Sequence, residues 1–316
     1  MEKSIFLIGT GPHAIDYAKV MKAQNVIFTV IGRGEVSAAN FEKATGIKAI
    51  TGGVEKFIRI SGFSANAYVI IATGTEALMP SLLLVLKAGV EKVLVEKPAA
   101  ISIGELLANE ENLKPYADKV LVAYNRRFYA SVAEAKRLIE EDGGLQSMHF
   151  EFTEWAHKIE PLHKAFGVKE NWFFANSTHV VDLAFFLAGN PAEWQAYSKS
   201  GKLTWHEKTN FAGAGITENG VLFSYISNWE SAGRWAIELL TGKRRIYLKP
   251  LETIGIQLKG TIPVIEHVFD DSLDKKFKPG LYNQVDDFLN SRHKNSNAAI
   301  SDHILKTKTI YAKIIS

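Results

Sequence analysis

The chain contains no cysteine. Disulfide bridges, cysteine-ligated zinc and thiolate catalysis are therefore excluded, and the absence fits a reducing compartment. No charge of one sign dominates either: 37 Lys and Arg stand against 34 Asp and Glu, a net charge of +3. No basic run is long enough to track a phosphate backbone, so nucleic acid is not expected as a partner. Long apolar runs are missing as well. The longest, Ala67 to Val90, is interrupted by Thr73, Gly74, Glu76, Pro80 and Lys87, whereas a membrane span needs about 20 mostly apolar residues. The run Ile5 to Ile8 is too short for a secretory signal and stops at Gly9. The expectation is a cytoplasmic protein that does not engage a membrane. Internal repeats and low-complexity linkers are absent. No metal is expected, because His157 and His163 merely bracket Pro161 without ligand spacing.

What is present is a large apolar fraction, 47% of 316 residues, enough for a sizeable core. The length predicts roughly two domains of ~150 residues each. Up to residue 122, short β-branched runs alternate with helical patterns: strands at SIFLIG, NVIFTVIG, Lys48 to Thr51, AYVIIAT, KVLVE and KVLVAY. Between them the periodicity predicts helices over His13–Lys22, Ser37–Thr45, Val54–Ile60, Met79–Ala88 and Ile103–Leu113. Strands this apolar are buried on both faces of a parallel sheet, so residues 1–122 are expected to form a doubly wound Rossmann domain.

From residue 123 to 316 the pattern changes. A helix is predicted over Ala130–Glu141, then strands at SMHFEFTEW, WQAYSK, LTWHEKT, GVLFSYISNW, WAIELL and RRIYLK. Further helices are predicted over Ser177–Leu187, Gly280–Leu289 and Ser301–Ile315. This second α/β domain is expected to carry a large, mainly antiparallel open sheet with one solvated face.

The first strand ends in Gly9-Thr10-Gly11-Pro12-His13-Ala14, a G-x-G-x-x-A turn opening a helix. Gly9 permits a tight turn, Gly11 lets the backbone approach a pyrophosphate at the helix N-terminus, and Ala14 allows close packing of helix on strand. Enzymes that use NAD place an acid at the end of the second strand; here Gly32-Arg33 stands there, which favours NADP, with NAD possible through Glu35. Cofactor contacts are also expected from Ala72, Thr73 and Gly74, and from Glu96, Lys97 and Asn125. Lys97 follows a strand at its carboxyl end, where a desolvated lysine exchanges a proton as hydride moves; a lysine there is also commonly a solvated surface group.

In the opening glycine turn and in AGVEKVLVEKPAAIS, YNRRFY, STHVVDLAFFLAG and GLYNQVDDFL, the chain resembles the glucose-fructose oxidoreductase/inositol dehydrogenase (Gfo/Idh/MocA) family over nearly its whole length. The resemblance implies a Rossmann domain followed by an open-sheet α/β domain, catalysis by Lys97, and His179 in the substrate pocket. It also implies a homo-oligomer, dimer or tetramer, formed through the sheet of the second domain. Two departures stand out: Ala175 where many relatives carry Asp, and Thr73-Gly74-Thr75-Glu76-Ala77-Leu78 where T-P-N-x-x-H is common.

Beside Lys97 and His179, the expected substrate residues are Arg126, Arg127, Trp172, Asn176 and Asp182. One of the two arginines is read either as a bidentate ligand for an anionic substrate group or as half of an interdomain ion pair. Trp155, Trp172, Phe173 and Phe174 are read either as pocket wall or as plain core. The expected activity is hydride transfer between NAD(P) and a hydroxyl or ketone of a sugar or sugar derivative. The alternatives are reduction of a non-sugar aldehyde, enone or imine, and a catalytically silent NAD(P)-binding regulator.

Overall fold

The computed structural model describes residues 3–292 and 296–316. The first strands are β1 (Ser4–Ile8), β2 (Phe28–Ile31), β3 (Ala49–Ile50), β4 (Ala67–Ile71), β5 (Lys92–Glu96) and β6 (Val120–Ala123). They form a parallel sheet in the order β6-β5-β4-β1-β2-β3, with the short strand Ala298–Ala299 antiparallel on β6. Leu7, Val69, Ile70, Val93 and Leu94 have no exposed surface, as expected of strands covered on both faces. Strand order reverses between β1 and β4, and it is at such a switch point that open α/β sheets leave a crevice beyond the strands' carboxyl ends. The helices Pro12–Ala23, Glu35–Thr45, Gly53–Ile60 and Leu78–Lys87 follow β1 to β4 in turn. The predicted helix over Ile103–Leu113 is two, Ile103–Ala108 and Glu110–Leu113, joined at Asn109.

The chain divides into two compact units, one running to Asn125 and including Lys276–Leu305, the other comprising Arg126–Lys275 and Lys306–Ser316. The expectation of one boundary near residue 122 is thereby corrected: a later segment returns to the first unit. The helix Leu281–Asn290 buries Leu281, Val285, Phe288 and Leu289 in the same core as Tyr17, Met21 and Phe41. Gln24 Nε2 donates to the Tyr282 carbonyl at 2.9 Å, which ties this helix to Pro12–Ala23. Periodicity marks such a helix as amphipathic, but it does not say which sheet the apolar stripe covers.

In the second unit, β7 (Leu145–Glu151), β8 (Pro191–Lys199), β9 (Asn210–Thr217), β10 (Leu222–Asn228), β11 (Ala236–Thr241), β12 (Arg244–Leu248), β13 (Gly255–Leu258) and β14 (Ile265–Glu266) form one sheet. Its order is β14-β13-β12-β11-β7-β10-β9-β8. All neighbours are antiparallel except β7 and β10, which run parallel. Met148, Phe150, Phe223, Tyr225, Ile237 and Leu239 are buried on one face. The other face exposes Tyr197, Leu222 and Ile226.

One predicted strand is absent: LTWHEKT is irregular, and β9 begins after it. Its sequence hides the pattern because aromatic neighbours occupy the places of its side chains. A β-carbon at Gly213 would lie 2.4 Å from the Tyr225 ring, and one at Gly215 would lie 2.3 Å from the Trp194 β-carbon. No described helix is long and apolar enough to cross a membrane.

Because Phe288 is fully buried in the core of the first unit, Phe288→Ala should cost about 3–5 kcal/mol. Urea unfolding followed by circular dichroism measures it. A loss below about 1 kcal/mol would mean that the returning helix is peripheral to that core.

Candidate functional site

A cleft of about 640 Å³ opens beyond the carboxyl ends of β1, β2 and β4 in the first unit. Of the sequence-predicted cofactor residues, Gly9, Thr10, Gly11, Pro12, His13, Gly32, Arg33, Ala72, Thr73 and Gly74 line it. Gly9 has φ +125°, and a β-carbon on it would sit 2.3 Å from the Ala72 carbonyl oxygen. Nothing lies within 4 Å of a β-carbon built on Gly11, so the protein's own packing does not require glycine there. The helix that follows has Pro12 at its start, no side-chain cap and no acid in its first turn. Its first N–H groups and its dipole therefore favour an anion. Ala14 is fully buried beneath this turn and packs helix against sheet.

Around the second strand, Thr10 Oγ1 donates to Ser37 Oγ at 3.0 Å, and Ser37 Oγ donates to the Gly34 carbonyl at 3.0 Å. A β-carbon on Gly32 would meet the Thr10 methyl at 2.7 Å. The place of the acid common in NAD enzymes is thus filled by Thr10. Arg33 is exposed and lines the cleft. The Glu35 carboxylate accepts a 2.7 Å bond from Thr51 Oγ1 instead. Sequence reasoning missed Ser37, Gly52, Gly53, Glu55, Glu76, Pro80, Ser81 and Leu84, which also line the cleft. The Gly52-Gly53 pair before a helix is the one available signal among them.

Glu96, Lys97 and Asn125 are not among the cleft-lining residues. Glu96 Oε1 accepts from the buried Tyr17 hydroxyl at 2.9 Å. Burial and the Glu96 charge push the Tyr17 phenol well above its usual range. Asn125 Nδ2 donates to the Pro279 carbonyl at 3.0 Å. The Lys97–Pro98 peptide is cis, and the Pro98 carbonyl accepts from His303 Nε2 at 2.9 Å. His13 bonds to Lys278 through Nδ1. Desolvation lowers the His13 pKa, with Lys278 and Lys97 adding to it and Glu96 opposing. The ring is therefore neutral at pH 7, and since an ammonium only donates, Nδ1 accepts and Nε2 carries the proton.

In the second unit a π-helical turn, Phe173–Ser177, runs directly into the helix Thr178–Ala188. His179 and Asp182 thus lie inside a continuous helical segment, not at a free helix start. Such π-turns are frequent at functional sites. His179 is 7% exposed, and its ring centroid is 6.1 Å from that of Trp235. Arg127 grips the buried Asp182 through Nε (2.7 Å) and Nη2 (2.5 Å), and Lys306 Nζ adds a 3.3 Å bond. The Arg127 pair therefore lies within one unit, not between two, and it engages both residues expected at a substrate. Trp172, Phe173 and Phe174 are buried, Trp172 edge-on to Trp205 at 6.4 Å, while Trp155 is 46% exposed.

Glu154, Arg234 and Trp235 went unread in the sequence. Glu154 is 1% exposed and accepts from Asn176 Nδ2 (2.9 Å), Ser177 Oγ (2.8 Å) and Arg234 Nη1 (3.3 Å). It follows β7, and Arg234 and Trp235 precede β11. Glu151 pairs with Ala236, so these residues extend from the same end of two neighbouring strands inside the sheet.

No family model and no curated protein matches this chain. Solved structures do. Levoglucosan dehydrogenase in its apo form superposes with a TM-score of 0.76 at 17% identity, covering 99% of this chain and 95% of that one. The same enzyme has been solved with NADH and L-sorbose. An oxidoreductase from Agrobacterium radiobacter, in complex with NAD+, L-tartaric acid and magnesium, gives 0.74 at 15% identity over 99% and 96% of the two chains. UDP-N-acetylglucosamine 3-dehydrogenase GnnA from Acidithiobacillus ferrooxidans gives 0.70 at 14% over 100% and 98%. The likeness establishes the fold. Both the Rossmann-like parallel sheet and the second, largely antiparallel sheet belong to it.

Although burial opposes it, the Arg127 and Lys306 charges hold the Asp182 carboxyl at about 2, below its ordinary 3.8. A carboxyl depressed on folding contributes stability that is complete above its unfolded pKa and is lost as pH falls through its folded pKa. The shift is worth roughly 2 kcal/mol. Asp182→Asn should cost about 3–5 kcal/mol at pH 7, because it removes the charge that two buried cations bond. It should also flatten the stability profile below about pH 4. Urea midpoints measured across pH test both. An unchanged acid limb in the variant would show that Asp182 does not carry it.

Proposed function

We propose that the chain is an NAD(P)-dependent oxidoreductase, NADP preferred, acting on a hydroxyl or ketone of a sugar or sugar derivative. The observation that carries this reading is the open cradle at Gly11. It combines an uncapped helix N-terminus, room where a β-carbon would go, and a cleft walled by β1, β2 and β4. A dinucleotide pyrophosphate fits that charge and space. Arg33 would hold a 2′-phosphate, a choice supported by the engagement of Glu35 with Thr51.

The nicotinamide, when bound, supplies the hydride acceptor or donor. Lys97 would carry the proton at the substrate oxygen, as donor in reduction and acceptor in oxidation. Neutral His13 adds no competing positive charge near Lys97. His179 would hydrogen-bond the substrate and assist. The levoglucosan and UDP-sugar dehydrogenases among the structural neighbours support a sugar-like substrate. We further propose that two copies pair through the open face of the second sheet. Tyr197, Leu222 and Ile226 are 70%, 59% and 52% exposed there, more apolar surface than scattered single residues would give.

Titration of intrinsic fluorescence should show NADPH binding more tightly than NADH. Arg33→Ala should weaken NADPH by about 10- to 100-fold and leave NADH unchanged; equal binding of the two cofactors by wild type removes Arg33 from this role. Lys97→Met should keep cofactor affinity while turnover falls by roughly 10²–10⁴. Wild-type protein that binds NADPH yet turns over no sugar, polyol, nucleotide sugar, aldehyde or imine would favour a regulator. Ile226→Arg should shift the mass seen by light scattering toward the monomer; a wild-type monomer refutes the pairing.

A further inference from the structure

Around His179 the second unit builds a cluster rich in hydrogen-bond donors. Trp155, Arg234, Trp235, Arg126 and Tyr129 make an alternating series of aromatic rings and guanidinium groups. Arg234 Cζ lies 4.8 Å from the Trp155 ring centroid and 4.5 Å from that of Trp235. Arg126 Cζ lies 4.5 Å from Trp235 and 5.9 Å from Tyr129. The outer end is open, with Trp155 46% exposed and the Arg234 side chain 41% exposed. A guanidinium stacked on an aromatic face still presents its N–H edge sideways, in a fork that matches carboxylate or phosphate oxygens.

The buried acceptor of the cluster, Glu154, is already engaged, while Glu252 near Arg126 is exposed. The two oxygens of Glu154 take bonds from Asn176, Ser177 and Arg234. Arg234 gives one N–H to that carboxylate and has four more. The Trp235 indole N–H is buried and meets no acceptor among the described residues, and a buried donor left unmatched costs about 1–3 kcal/mol. Two like charges are also held together at Trp235. Desolvation and the Arg234 charge both make Arg126 harder to keep protonated, with Tyr129, Glu252 and Glu154 compensating. Beside His179 the series thus sets an unmatched indole donor next to Arg234, of whose N–H groups one is paired with Glu154, and next to Arg126, which Glu252 faces.

We propose that Arg234, Arg126 and the Trp235 indole N–H form a subsite for an anionic group on the substrate, a carboxylate or a phosphate attached to the sugar-like ring. The subsite rests on the reading of His179 as a substrate residue. It narrows the substrate class from sugars in general to acidic sugars or sugar phosphates.

Calorimetric titration of the NADP-loaded protein with D-glucose, D-glucuronate and D-glucose 6-phosphate tests it. At least one anion should bind about 10-fold or more tightly than glucose, and its affinity should fall with salt. The preferred anion identifies the group as carboxylate or phosphate. Arg234→Gln should weaken that anion by about 10- to 100-fold and leave glucose unchanged; Arg234→Lys, which keeps the charge without the fork, should fall between. Equal affinities for all three probes overturn the subsite, as does failure of both anions to bind at millimolar concentration. So does an Arg234→Gln variant that loses only melting temperature, since the series would then serve the fold alone. Calorimetry needs no turnover, so anion binding without hydride transfer would remove the oxidoreductase reading and leave the subsite standing.

Discussion

Gly9 ties three strands together. Its N–H donates to the Ile31 carbonyl at the end of β2, and the Ala72 N–H just past β4 donates to the Ile8 carbonyl before it, both at 2.8 Å. Its α-carbon lies so close to β4 that any side chain would strike the Ala72 carbonyl. With φ at +125° the chain must turn sharply there. The next residues leave the sheet in one direction only, and the helix after Gly11 begins with its uncapped end over the gap between β1 and β4. The Thr10 methyl, carried along by the same turn, fills the space beside Gly32. What occupies the space beside residue 32 on the second strand is in this sense set from the first, because a side chain there would have to displace Thr10.

The second unit is organised by buried charge. Asp182 is 1% exposed and holds two cations, Arg127 from the segment after β6 and Lys306 from near the end of the chain. Removing a carboxylate from water is expensive, and only good geometry with further hydrogen bonds offsets it. Here the bidentate Arg127 supplies both. Glu154 plays the corresponding part on the far side of His179, gripping Asn176 and Ser177 in the π-helical turn. His179 therefore sits three residues from one anchored carboxylate contact and two from the other, along a helix with little freedom to rotate.

Local pattern made the first sheet legible. Its strands are continuous β-branched runs, its helices have clean periodicity, and the glycine turn stands between them where a dinucleotide fold needs it. The return of Leu281–Asn290 to that sheet was not legible, because an amphipathic stripe does not name its partner. β9 was hidden because Gly213 and Gly215 give their side-chain space to Tyr225 and Trp194. Arg127 and Asp182 both drew notice as charged residues, yet nothing in a sequence says that they find each other across 55 positions. Glu154 and Arg234 gave no signal for the same reason: each is ordinary until the strand register of β7 against β11 brings their segments together.

The turn after β5 carries Lys97. Here the residues on either side are both tethered from distant elements. Glu96 is held by the Tyr17 hydroxyl on the first helix, and the Pro98 carbonyl is held by His303. A carbonyl only accepts, so His303 carries a proton on Nε2, and its Nδ1 lies 3.3 Å from the Tyr124 hydroxyl. These two contacts hold the ring of a histidine 1% exposed, and with it the turn. Ala99, with φ at +67°, completes the bend in a conformation that side chains seldom adopt. Three constraints thus converge on one short turn. Their common effect is to fix the backbone from which Lys97 projects.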